Sequence, residues 1–81
     1  MTKLRARVDV SLYPLKDDYI PPIDAVIARF RSYDDIEVET NRMSTQLTGD
    51  YDRVMEALTN EMRSSLIAGK AVFVLKVLSV P

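Results

Sequence analysis

The chain contains no cysteine and no histidine. The first absence excludes disulfide stapling, thiolate zinc sites and a cysteine nucleophile. The second removes the commonest general base, the Ser-His-Asp triad and most transition-metal sites. Glycine is scarce as well: Gly49 and Gly69 are too few to build a glycine-rich phosphate loop. No apolar run approaches the roughly 20 residues needed to span a bilayer. An excess of one charge is also missing, because eleven basic and twelve acidic residues leave a net charge of -1. A binder relying on a broad basic field is therefore disfavoured, and neither a nucleic-acid partner nor membrane insertion is expected. Met1 to Val10 carries Lys3, Arg5 and Arg7 but alternates instead of running into an apolar block. It does not read as a signal peptide, and a cytoplasmic protein is the expectation.

What is present is a globular composition: 81 residues, 47% hydrophobic and 28% charged. That length supports one small domain over residues 1–81. A domain of this size buries only roughly 60% of its unfolded surface, so a partner subunit would help it.

Leu4 to Leu12 alternates, with Leu4, Ala6, Val8, Val10 and Leu12 on one side and Arg5, Arg7, Asp9 and Ser11 on the other. This period predicts a strand with one buried face, ended by Pro14. After the polar Lys16-Asp17-Asp18, Pro21 and Pro22 fall where a helix can begin. Ile23, Val26, Ile27 and Phe30 follow at helical spacing, with Asp24 near the start and Arg29 and Arg31 near the end, which predicts a helix from about Pro21 to Ser32. Ile36 to Thr40 alternates again. A two-residue turn at Asn41-Arg42 would set Thr40 opposite Met43, Val38 opposite Thr45 and Ile36 opposite Leu47. Glu37, Glu39, Ser44, Gln46 and Thr48 would then share the other face, although Arg42 stands where such a turn prefers glycine. Asp50 is a plausible N-cap for a second helix whose stripe is Tyr51, Val54, Met55, Leu58, Met62 and Leu66, with Gly69 as its stop. Ala71 to Val80 is β-branched and apolar on both faces, interrupted by Lys76.

The order is β-α-β-β-α-β, which predicts an α+β, ferredoxin-like sandwich: a four-stranded antiparallel sheet with two helices on one face. Right-handed crossovers put the first and third strands in the centre and the fourth at an edge. An edge strand apolar on both faces is a liability if left open, so a homodimer or a higher assembly is expected.

Without His or Cys, chemistry would fall to carboxylates, lysines, tyrosines and hydroxyls. Glu37 and Glu39 share a strand face and could do acid-base work or hold a metal; they could equally be a solvated outer face. Asp17-Asp18 could be a metal corner or turn residues that help start the first helix. Arg5 and Arg7 could bind phosphate or simply be exposed strand residues, and Met55 and Met62 read as core. No catalytic residue, metal or cofactor is expected. The open sheet face mixes Arg5, Arg7, Asp9, Ser11 and Tyr13 with Glu37, Glu39, Ser44, Gln46 and Thr48. Such a surface suits a flat cationic heteroaromatic, though it could also be merely wet or lie in a subunit contact.

Two stretches sharpen this. Ser11-Leu12-Tyr13-Pro14-Leu15 ends the first strand, and Thr40-Asn41-Arg42-Met43-Ser44-Thr45-Gln46-Leu47-Thr48-Gly49 forms the hairpin. Both resemble the YkoF-like family, which binds thiamine and its hydroxymethylpyrimidine moiety. The resemblance spans nearly the whole chain. Larger members carry two ferredoxin-like, ACT-like repeats in tandem, whereas this chain has one. It implies a homodimer or a dimer of dimers, and a ligand-binding protein in thiamine salvage, transport or sensing instead of an enzyme. The alternative is an ACT-like regulatory or structural oligomerisation module with no ligand. An acylphosphatase-type hydrolase of the same fold is disfavoured, since Pro14-Leu15-Lys16-Asp17-Asp18-Tyr19 contains no glycine.

The resemblance assigns Tyr13 to an aromatic contact and Asn41, Ser44 and Thr45 to polar contacts. Sheet parity adds Glu37 and Glu39. Arg42 departs from the family pattern and would disfavour a thiazolium cation, shifting preference towards the neutral pyrimidine or a phosphorylated form. The register also aims Thr45 at the helices. In that case the pocket lies between sheet and helices and not on the open face.

Overall fold

The structure, a computed structural model, describes residues 3–80. The elements follow the expected order: β1 (Arg5–Pro14), α1 (Ile20–Arg31), β2 (Glu37–Thr40), β3 (Thr45–Asp50), α2 (Tyr51–Ala68) and β4 (Ala71–Val80). All strand pairs are antiparallel and the sheet runs β2-β3-β1-β4, so β1 and β3 are central and β4 is an edge.

In β1 the alternation becomes burial. Ala6, Val8 and Val10 face the helices and are buried. The strand runs two residues beyond Leu12, because Tyr13 and Pro14 still face Val72 and Ala71. Proline's missing N–H is tolerated at a strand end. Helix α1 starts at Ile20 with proline in its first turn, and it buries Val26 and Phe30. Asp24 lies outside the first turn, which holds no acidic residue; Arg29 and Arg31 do occupy the last turn.

The β2–β3 hairpin departs from the expected register. Thr40 faces Thr45 and Val38 faces Leu47, so the connection is the four residues Asn41–Ser44. A tight two-residue turn needs positive φ at both central positions, which Arg42 disfavours. Asn41 provides another solution. Its Oδ1 accepts from the Met43 and Ser44 amides at 2.8 and 3.1 Å, and its own N–H donates to the Ser44 carbonyl at 3.1 Å. No described non-glycine residue has positive φ. The slip is two residues, so every side chain keeps its face. Met43 and Ser44 leave the sheet for the connection, Met43 being 85% exposed, and Ile36 lies just before β2.

Asp50 occupies the N-cap position of α2 but makes no side-chain capping bond. The helix buries Val54, Ala57, Leu58 and also Glu61. Its other end is closed by the Gly69 N–H, which donates to the Ser65 carbonyl at 3.2 Å with extended backbone at Gly69. Gly49 sits in a tight place, since a Cβ there would lie 3.1 Å from the Asp35 carbonyl oxygen and the neighbouring backbone would have to give slightly. Val8, Val10, Val26, Phe30, Ile36, Leu47, Val54, Ala57 and Leu58 form the core. Polar contacts fasten the helix layer at its edge. Glu61 accepts from Arg29 Nε at 2.5 Å and from the Tyr33 hydroxyl at 3.1 Å, joining α1 to α2. Arg53 pairs with Asp35 at 2.6 Å and with Glu56 at 2.9 Å.

Candidate functional site

A cavity of about 450 Å³ opens between the sheet and α1 at the hairpin end of the molecule. Its apolar walls are Val10, Leu12 and Phe73 from the sheet and Ile23, Val26, Ile27 and Phe30 from α1. These positions fall together because the inner parity of β1 and β4 meets the helical stripe of α1. The polar groups come mostly from the hairpin. Thr40 and Thr45 share a hydroxyl–hydroxyl hydrogen bond of 3.0 Å, Thr45 being buried, and Asn41, Arg42 and Ser44 complete that end. Tyr13 and Tyr19, both about half exposed, also line the cavity. An apolar chamber with a few convergent polar groups, within the ~300–1,000 Å³ range of ligand sites, is how proteins bind small organic molecules.

Tyr13, Asn41, Ser44 and Thr45 thus line one cavity between sheet and α1, although Tyr13 shares the open-face parity of Ser11. Glu37 and Glu39 stand apart from it. They face Thr48 and Gln46 on the open side, where Glu39 pairs with Arg7 at 3.2 Å. Ser44 straddles the two. Its hydroxyl donates to Asp9 Oδ1 on the open face, and Gln46 Nε2 donates to Asp9 at 3.0 Å and to Ser44 Oγ at 2.6 Å. The Ser44 hydroxyl, then the Gln46 amide, hold the Asp9 carboxyl below the usual carboxylate range, with Lys76 adding a smaller pull. The Ser44 side chain is therefore committed to that network, leaving Thr40, Asn41, Arg42 and Thr45 as the polar end of the cavity.

Sequence reasoning missed Tyr19, Thr40 and the apolar walls Ile23, Ile27 and Phe73. The walls carry the same spacing as core residues, so periodicity cannot separate the two. Among the described residues, no group of three or more His, Cys, Asp or Glu side chains is placed to hold a metal ion, and no helix is long and apolar enough to cross a membrane.

The model of the YKOF-related family matches residues 5–80. The chain belongs to that family. Solved structures of similar shape extend the comparison. A hypothetical protein from Methanocaldococcus jannascii is 29% identical, with a TM-score of 0.82 over 95% of this chain and 81% of that one. A protein from Streptococcus pneumoniae is 21% identical, with a TM-score of 0.86 over 95% of this chain and 88% of that one. A candidate thiamine biosynthesis/salvage protein from Thermotoga maritima is 18% identical, with a TM-score of 0.81 over 90% of this chain and 81% of that one. At 21% and 18% identity, the last two establish the shared fold alone. A search of curated proteins finds no match.

Proposed function

We propose that this member of the YKOF-related family is a small-molecule binding protein without catalysis, which takes thiamine or its hydroxymethylpyrimidine moiety in salvage, transport or sensing. The observation that carries the reading is the cavity beside the hairpin: apolar walls closed at one end by the Thr40–Thr45 pair and Asn41. A pyrimidine ring is flat and edged with donors and acceptors. It can lie between Leu12, Ile27 and Phe73 while Asn41 and Thr45 meet its edge. Family membership and the thiamine biosynthesis or salvage role ascribed to the Thermotoga maritima protein support the same ligand class. Arg42 lines the cavity and works against a cationic thiazolium, so the neutral pyrimidine is the preferred partner.

Isothermal titration with hydroxymethylpyrimidine and then thiamine tests this. Micromolar binding, about -8 kcal/mol, is expected at one ligand per chain. Thr45→Val and Tyr13→Ala should each weaken it severalfold, in keeping with loss of about 1 kcal/mol per polar or aromatic contact. No heat and no thermal stabilisation at millimolar ligand would overturn the reading in favour of an oligomerisation module. The specific observation behind that second reading is β4, an edge strand with exposed Val72, Val74, Val77 and Leu78. In either reading β4 is the surface on which a homodimer or dimer of dimers would form.

A further inference from the structure

A second cavity, of about 300 Å³, lies at the C-terminal end of α2, next to the first, bounded by α1 from Pro22 to Arg29, the end of β1 and the α2–β4 connection. We propose that it binds the phosphate group of a small organic monoester. Three cationic residues line it, Lys16, Arg29 and Lys70, and no aspartate or glutamate does so among the described residues. The backbone holds two of them together: the Leu15 N–H donates to the Lys70 carbonyl at 3.0 Å, which sets the Lys16 and Lys70 turns side by side. Neither lysine forms an ion pair among the described residues, and the Arg29 pairing to Glu61 uses only Nε, leaving its terminal nitrogens available. Arg29 has its counter-charge in Glu61, but Lys16 and Lys70 have none among the described residues, and an anion relieves the repulsion between them. A phosphate accepts hydrogen bonds from lysine and arginine alike.

A second, independent feature points to the same place. Ser65 Oγ, on the α2 wall, is buried and makes no hydrogen bond in the protein. A buried hydroxyl without a partner is costly, and rotation about the Ser65 Cα–Cβ bond would turn it into the cavity, where a phosphate oxygen supplies an acceptor. Leu12 and Pro14 make an apolar wall beside these groups, which accommodates the carbon body of an ester. Both residues also line the first cavity, but neither argument uses the ligand proposed there.

The test titrates the full chain with inorganic phosphate and with phenyl phosphate at constant ionic strength, following backbone amide resonances. Saturable shifts are expected over Ser64 to Lys70, with phenyl phosphate binding at least fivefold more tightly. Lys16→Gln/Lys70→Gln should weaken binding at least tenfold. Lys3→Gln/Lys76→Gln, which removes the same charge elsewhere, should change it less than twofold. Ser65→Ala should weaken binding severalfold without lowering the melting temperature of the free protein. The proposal is overturned by shifts gathered at residues 40–45, by equal losses in the two double variants, or by loss of thermal stability in Lys70→Gln with binding intact. Equal affinity for the two probes overturns the organic part. Since the readout is local, failure here leaves the pyrimidine titration untouched, and the reverse.

Discussion

β1 and β4 are each ten residues long and face one another along their whole length, yet burial treats them oppositely. β4 is apolar at eight of its ten positions and β1 at five. The more apolar strand is nevertheless the more exposed. Val8 and Val77 face each other across the ladder, Val8 at 0% exposure and Val77 at 53%. The cause is position. β1 sits between β3 and β4 under both helices, while β4 has one neighbour and helices that cover only part of its inner face. Burial follows topology, and composition says what each strand was selected to meet. A strand that alternates meets a core on one side and water on the other, whereas one apolar on both sides at an open edge is suited to another protein surface.

The Val8–Val77 pair gives the largest test of this difference. Val8→Ala removes buried carbon from the packed core and should cost about 2–3 kcal/mol in urea unfolding. Val77→Ala, at the same rung of the ladder, should stay within about 0.5 kcal/mol at a dilution where the chain is monomeric. Comparable costs would show that β4 is already covered in the isolated chain.

The next rung to break is Ser11–Val74, on the open face. Val74→Lys puts a charge on the exposed apolar half of that face while leaving the core intact. If β4 is the assembly surface, sedimentation should show self-association at least tenfold weaker, about 1.4 kcal/mol or more, with an unchanged circular dichroism spectrum. Association that survives Val74→Lys would move the contact away from β4.

The same contrast explains how much was legible beforehand. Period two in β1 and the helical stripes of α1 and α2 are local signals, and the β4 edge follows from crossover handedness. Even the hairpin error was harmless to face assignment, because its register slipped by two residues. Its cause was a single side chain: Asn41 Oδ1 organises a four-residue connection, which alternation does not reveal. Glu61 shows the other limit. A glutamate reads as solvent-facing, but it is buried by Arg29 and Tyr33, partners 32 and 28 residues away in sequence. The candidate site divides in the same way. Tyr13, Asn41, Ser44 and Thr45 were visible through the motifs, but the cavity walls Ile23, Ile27 and Phe73 look like ordinary core until the layers are assembled.

The smallest effect is expected at the Asp9–Lys76 rung, the one place where this ladder opposes charge to charge. Asp9 owes its lowered pKa first to the Ser44 hydroxyl, then to Gln46, and only in smaller part to Lys76. Because the folded-state value lies below the unfolded one, the network's contribution is present above the unfolded pKa, about 3.9, and is lost as pH falls through the folded value. Wild type should therefore exceed Asp9→Asn in melting temperature by a constant amount above about pH 5, and the gap should close below about pH 4. Asp35, also held low, first by its hydrogen bond from Arg53, is common to both proteins and cancels in the difference. Lys76→Gln should leave most of the gap in place, since the hydrogen bonds from Ser44 and Gln46 remain. A gap that vanishes in Lys76→Gln would mean that the β1–β4 charge pair, and not the β3 hydroxyl and amide, holds the carboxylate.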